Sequence, residues 1–160
     1  MKQKIGIIGV GNPLRRDDGI GLFLLQKLRQ HPSFFQDDVC FLDGGTGGMN
    51  LLHLFHRFDV VILLDAVDFD ADPGTIRFFT IDDVISNKKN PQLSTHHIDV
   101  LQIISFAKKI GECPDHIYVF GVQPEDVSFG EGFTQPLESK KDEFVSLLLE
   151  KVSSVIKKYW

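Results

Sequence analysis

Short apolar runs alternate along this chain with stretches in which apolar side chains return every third or fourth residue. These are the periods of buried strand and amphipathic helix. Ile5 to Val10 is a continuous apolar run closed by Gly11-Asn12-Pro13, and Val39–Leu42, Val60–Leu64 and Ile117–Val122 repeat that pattern. Between them, Gly19–Leu28 carries Ile20, Phe23, Leu24 and Leu28 at helical spacing, and Met49–Phe58 does so through Leu51, Leu52, Leu54 and Phe55. Thr95 predicts the N-cap of a third helix running through Ile98, Leu101, Ile104 and Ala107 to a stop at Gly111. The tail from Leu137 to Trp160 aligns Phe144, Leu148, Val152, Val155 and Tyr159 on one side of a fourth.

Val60 to Leu64 is β-branched, unbroken by charge and so suited to burial on both faces, as in a parallel sheet. Thr75 to Thr80 follows a short turn-rich loop, Asp68 to Gly74, with no helix between. A parallel crossover needs a dozen or more residues, so this strand is expected to pair antiparallel. Asn87–Leu93 and Gln123–Gln135 read as loops. The predicted fold is α/β: a three-layer α/β/α sandwich whose mostly parallel twisted sheet includes one antiparallel strand. Residues 1–160 are expected to form a single domain.

Composition changes this picture little. An apolar fraction of 42% and a charged fraction of 24% are those of an ordinary globular protein. The net charge is −5 and basic residues come in short pairs, with no basic stripe, so nucleic acid is not an expected partner. Cys40 and Cys113 make no disulfide framework. The run Ile5–Val10 is too short for a signal peptide's apolar core or a membrane span, so a cytoplasmic protein with no membrane partner is expected.

Three polar sites carry the chemistry: Asp17-Asp18 after the first strand, Asp65 at the end of the central run, and Thr95-His96-His97 opening the third helix. One aspartate of the first pair can cap the following helix, while the second is placed to reach into a crevice at the sheet's carboxyl edge. Asp65 must be solvated or paired, since burying a carboxylate alone is costly. A helix N-terminus keeps a histidine neutral and ready to bind metal, and either His96 or His97 could be that ligand. Two carboxylates and an imidazole suit a divalent transition metal. Gly9-Val10-Gly11-Asn12 lacks the third glycine of a dinucleotide fingerprint. Asp43-Gly44-Gly45-Thr46-Gly47-Gly48 lacks the Lys-Ser or Lys-Thr of a phosphate-binding loop, so its glycines are expected to let the backbone fold tightly or approach a peptide closely. Serine and cysteine nucleophile motifs are absent.

In order along the chain, Gly9-Val10-Gly11-Asn12-Pro13-Leu14, Asp17-Asp18-Gly19-Ile20-Gly21, Asp43 to Gly48, Leu64-Asp65-Ala66-Val67, Pro73-Gly74-Thr75, Ser94-Thr95-His96 and Gly121-Val122-Gln123-Pro124-Glu125 resemble the nickel-iron hydrogenase maturation endopeptidases. The resemblance runs from about residue 5 to residue 137. It implies an aspartyl-type endopeptidase that clips a C-terminal extension from the nickel-loaded hydrogenase large-subunit precursor. Asp18, Asp65 and His96 match the family's metal-contacting residues; the family has Glu or Asp at position 18, so Asp18 has the shorter reach. Asp43, Gly44, Gly45, Thr46 and Gly47 would line the peptide's path. The nickel belongs to the substrate, the partner is the precursor, and a monomer is expected.

A rival reading is a receiver-like, magnesium-dependent phosphoacceptor module. It too uses an acidic pair after strand one and an aspartate, here Asp65, after strand three. It expects a lysine ending its last strand, where this chain has Phe120-Gly121-Val122-Gln123-Pro124.

Overall fold

The unbroken run at Val60 becomes the middle of a sheet. A computed structural model describes residues 2–34, 38–83 and 100–160. Among these, the strands are β1 (Ile5–Gly9), β2 (Val39–Asp43), β3 (Val60–Ala66), β4 (Ile76–Thr80) and β5 (His116–Val122). They lie in the order β2-β1-β3-β5-β4, all parallel except β4, which pairs antiparallel with β5. The helices are α1 (Ile20–Arg29), α2 (Met49–Phe55), α3 (Val100–Lys109), α4 (Gln135–Glu138) and α5 (Lys141–Tyr159).

Side chains alternate across β3, and each face meets its own helical layer. Ile62 and Leu64 join Ile5, Ile7 and Phe120 under Leu24 and Leu28 of α1 and Phe144, Leu148 and Val152 of α5. Val61 and Leu63 join Ile8 and Val119 under Leu51 and Phe55 of α2 and Ile103, Ile104 and Ala107 of α3. Every residue of β3 is buried, which is why its sequence shows no polar alternation. The expected three layers and the single antiparallel strand are both present. No helix among the described residues is long and apolar enough to cross a membrane.

The topology also creates a crevice. From β1 the chain crosses by α1 to β2 on one side, then returns by α2 to β3 on the other, with the two helices on opposite faces. Right-handed crossovers in opposite directions part at β1 and β3, and ligands of open α/β sheets bind at such a switch point, beyond the carboxyl ends of the strands. Asp18 follows β1 and Asp65 lies near the end of β3, so both belong to that point.

Three boundaries differ from the sequence reading. The central strand runs past Leu64 to Ala66, so Asp65 lies inside the ladder, in register with Gly121. β5 stays apolar to Val122, whose carbonyl still accepts from Val67 N, and that pairing carries β3 through its charged residue. Helix α2 stops at Phe55; Phe58 is apolar because its ring covers Gly6, where an added Cβ would come within 2.6 Å of it. The tail divides at Ser139-Lys140 into α4 and α5. The expected loop Asn87–Leu93 and the N-cap at Thr95 lie outside the described residues.

Helix α1 approaches the switch point very closely. A Cβ on Gly21 would lie 2.2 Å from Leu64 O and 2.3 Å from Val10 O, both backbone atoms that cannot swing aside. Gly21→Ala is therefore expected to destabilise the protein by about 2 kcal/mol despite alanine's better helix propensity, because overpacking outweighs it. Urea denaturation measures this, and an unchanged midpoint would contradict it.

Candidate functional site

Asp65 is almost wholly buried, on the ladder between β1 and β5. By alternation it shares the sheet face of Val61 and Leu63, the face covered by α2 and α3. Its Oδ1 has no hydrogen-bond partner among the described residues. Burial raises its proton affinity well above the ordinary carboxylate value, the Asp18 carboxylate raises it further, and the backbone N–H of Ala66 offsets part of the rise. A buried acid left half-partnered beside a second acid is unfavourable unless something positive joins them.

Asp18 supplies that second acid. It is 1% exposed, and its Oδ2 accepts from Asn12 N at 2.9 Å, which ties the side chain back toward the end of β1. The chain reaches it through a short 3-10 turn, Arg16–Gly19, entered with Arg16 at φ 43°. Gly11 leaves room for this turn: a Cβ there would overlap Asp18 O at 1.9 Å.

Asp17 does something that its spacing did not announce. The expected helix cap is not made, since Gly19 stands at the N-cap of α1 with no side-chain cap bond. Asp17 is instead fully buried against the loop after β5. Its Oδ2 accepts from Glu125 N at 2.9 Å, Asp126 N at 3.1 Å and Thr134 Oγ1 at 2.7 Å, and its Oδ1 accepts from Thr134 N at 2.8 Å. Of the neighbouring acids, Asp17 is thus the clamp and Asp18 the group directed at Asp65.

The glycine-rich loop lies beside the same crevice. Gly44 N donates to Gly9 O at 2.7 Å, and Gly11 N donates to Gly45 O at 2.8 Å, joining the loops after β1 and β2. Asp43 is exposed and its Oδ1 accepts from Gly45 N at 2.7 Å, so it shapes the turn. Gly45, at φ 59°, has open space where a side chain would stand, and Thr46 is exposed while Gly44 and Gly47 are buried.

Gln123 was not singled out from the sequence. It is buried, and its Oε1 accepts from Phe69 N at 2.6 Å and Ala71 N at 3.4 Å, while its Nε2 donates to Asp68 Oδ1 and Pro124 O, both at 3.2 Å. It braces the loop that leaves Asp65. Its available signal was an amide directly before a proline at the end of an otherwise apolar strand. His96 and His97 lie outside the described residues. Among the described residues no three His, Cys, Asp or Glu side chains converge to hold a metal, and the carboxylates of Asp18 and Asp65 are the pair in electrostatic contact.

Comparison with known proteins gives one consistent result. A family model described as hydrogenase maturation protease (HycI) matches residues 24–151. The hydrogenase expression/formation protein HupD of Bradyrhizobium diazoefficiens is 30% identical over 139 residues, spanning 86% of this chain and 72% of its own. The hydrogenase 2 maturation protease of Escherichia coli is 32% identical over 138 residues, 86% of this chain and 83% of its own. The solved structure of the hydrogenase maturating endopeptidase HybD from E. coli superposes with a TM-score of 0.80 at 29% identity, covering 95% of this chain and 93% of that one. A [NiFe] hydrogenase maturation protease HycI from Thermococcus kodakarensis, at 23% identity and a TM-score of 0.72, shares the fold over 98% of this chain and 94% of its own.

Two expectations follow from the buried acids. Asp17→Asn keeps the shape but turns an NH2 group toward N–H or O–H donors, and is expected to lower stability by about 2 kcal/mol in chemical denaturation. Asp65 acts in the opposite sense. Its folded form holds a proton that the unfolded chain releases above about pH 4, so the stability linked to it is complete below that pH and is lost as pH rises toward the folded pKa. Asp65→Asn should remove this decline, making the variant as stable as the parent or more so at neutral pH. A parallel decline in both proteins would contradict the assignment.

Proposed function

The chain belongs to the hydrogenase maturation proteases, and from that premise we propose that this hydrolase removes the C-terminal extension of a nickel-loaded [NiFe]-hydrogenase large-subunit precursor. The observation that carries the proposal is the pair of buried carboxylates at the switch point, with Asp65 Oδ1 unpartnered among the described residues. Such a pair is a poor resting arrangement and a good receptor for a dication. In this reading Asp18, Asp65 and His96 contact the precursor's nickel, which arrives with the substrate and is not held permanently by the enzyme.

Nickel contact favours the ionised form of Asp65 and so expels the proton that burial retains. The chain next to the metal is then positioned beside the loop after β2. The space at Gly45 leaves room for a peptide backbone to pass, and Asp43, through its bond to Gly45, holds that loop in shape. Water activated on the nickel, or a carboxylate accepting the water's proton, completes hydrolysis. The reaction is expected in the cytoplasm, with the enzyme as a monomer.

The rival receiver-like module is less well supported. Its doubly wound sheet would have the order β2-β1-β3-β4-β5 throughout, whereas here β5 lies between β3 and an antiparallel β4.

Intact-mass measurement of the large-subunit precursor, with and without nickel, tests the proposal. A discrete C-terminal peptide should be lost from the nickel-loaded form alone. Asp18→Ala, Asp65→Ala and His96→Ala should each slow the loss about a hundred-fold or more. A loaded precursor that stays whole, or cleavage that ignores nickel, would overturn it.

A further inference from the structure

Large apolar side chains stand exposed at five described positions, Leu14, Met49, Phe106, Ile110 and Phe129. Phe106 and Ile110 belong to the outer side of α3 and the turn after it. The other three belong to segments at the carboxyl edge of the sheet, Leu14 to the loop after β1, Phe129 to the loop after β5 and Met49 to the start of α2. Singly exposed apolar residues are ordinary, but convergence around a candidate site is not.

Hydrogen bonds fix where these three stand relative to the buried acids. Leu14, 61% exposed, lies in the loop between Asn12, whose N–H binds Asp18, and the turn that carries Asp18. Phe129, 75% exposed, precedes Gly130, whose N–H donates to Leu14 O at 2.9 Å and whose carbonyl accepts from Arg16 N at 3.2 Å. Loops after β1 and β5 therefore form one ribbon, clamped below by Asp17. Met49, 51% exposed, opens α2 directly after the glycine-rich loop, which is bonded to the other side of the β1 loop through Gly11 and Gly45. The Phe129 ring is also held in place. The Arg15 guanidinium lies 5.2 Å from its centre, and Arg15 Nε donates to Val127 O at 3.0 Å. An exposed ring restrained before contact loses little freedom on binding.

From this arrangement we infer that Leu14, Met49 and Phe129 form an apolar rim that docks on the folded surface of the hydrogenase precursor, around the point where its C-terminal tail leaves. The inference rests on the proposed function and adds the surface by which the substrate is recruited. One feature selects a folded surface over the tail itself: the exposed side chains belong to three separate segments, and the acids are recessed, at 1% exposure for Asp18 and 3% for Asp65. A protruding chain reaches such a recess while the body it leaves rests on the rim.

The test compares dissociation constants for the nickel-free precursor and for a synthetic peptide of its C-terminal tail, measured by biolayer interferometry. The rim variant is Leu14→Ser with Phe129→Ser; the control is Phe106→Ser with Ile110→Ser, at comparably exposed positions away from the site. The rim variant should bind the precursor about ten-fold more weakly or worse and the peptide as the parent does, with the control unchanged. Equal affinity of parent and rim variant, an equal loss on the peptide, a like loss in the control, or no binding by the parent would each overturn the inference. Failure of the nickel-loaded precursor to be cleaved would count against the proposed function instead, leaving the affinity comparison to stand.

Discussion

The Asp17 carboxylate is buried, and its hydrogen bonds among the described residues come from three backbone N–H groups and one hydroxyl of the loop after β5. Bonds to a carboxylate are stronger than neutral ones, and a buried acid stripped of them is costly. The loops after β1 and β5 are therefore obliged to stay together. Everything else at the carboxyl edge follows from that obligation. The turn carrying Asp18 is held over the end of β3, and Gly130 is drawn against Leu14 with Phe129 directly before it.

Asp65 shows the reverse logic. Where Asp17 is satisfied by its own chain, Asp65 keeps an oxygen without a partner among the described residues and faces a like charge. The folded protein bears this unfavourable pairing because β3 is secured on both faces by α1, α5, α2 and α3. In the proposed function a cation brought by the substrate would offset this pairing and be recognised by it. On that proposal the enzyme would discriminate loaded from unloaded substrate through electrostatics, since the unloaded precursor brings no cation to the acids.

Much of this was legible in the chain because burial leaves a periodic trace. The unbroken Val60–Leu64 run, the helical spacing of Ile20, Leu24 and Leu28, and the short return to Thr75–Thr80 each correspond to an observed element. Asp65 was recognisable as a charge at the end of such a run, although its inclusion in the ladder was not, because that depends on β5 remaining apolar to Val122. The division of labour between Asp17 and Asp18 was hidden for a similar reason. Neighbouring aspartates look alike in sequence, and only residues more than a hundred positions away, at Glu125 and Thr134, tell them apart. Gln123 was hidden too, since its partners Phe69 and Ala71 are contacted through their backbone, which leaves no mark in composition.

The proposed function makes Asp65 an acid held short of its natural ionisation until a dication meets it. Titration of its side-chain carboxyl by carbon-13 NMR, with and without added nickel ion, tests this directly. The midpoint is expected above the ordinary carboxylate range in the free protein and lower when nickel is present. An ordinary midpoint, or a raised one that nickel leaves in place, would contradict it.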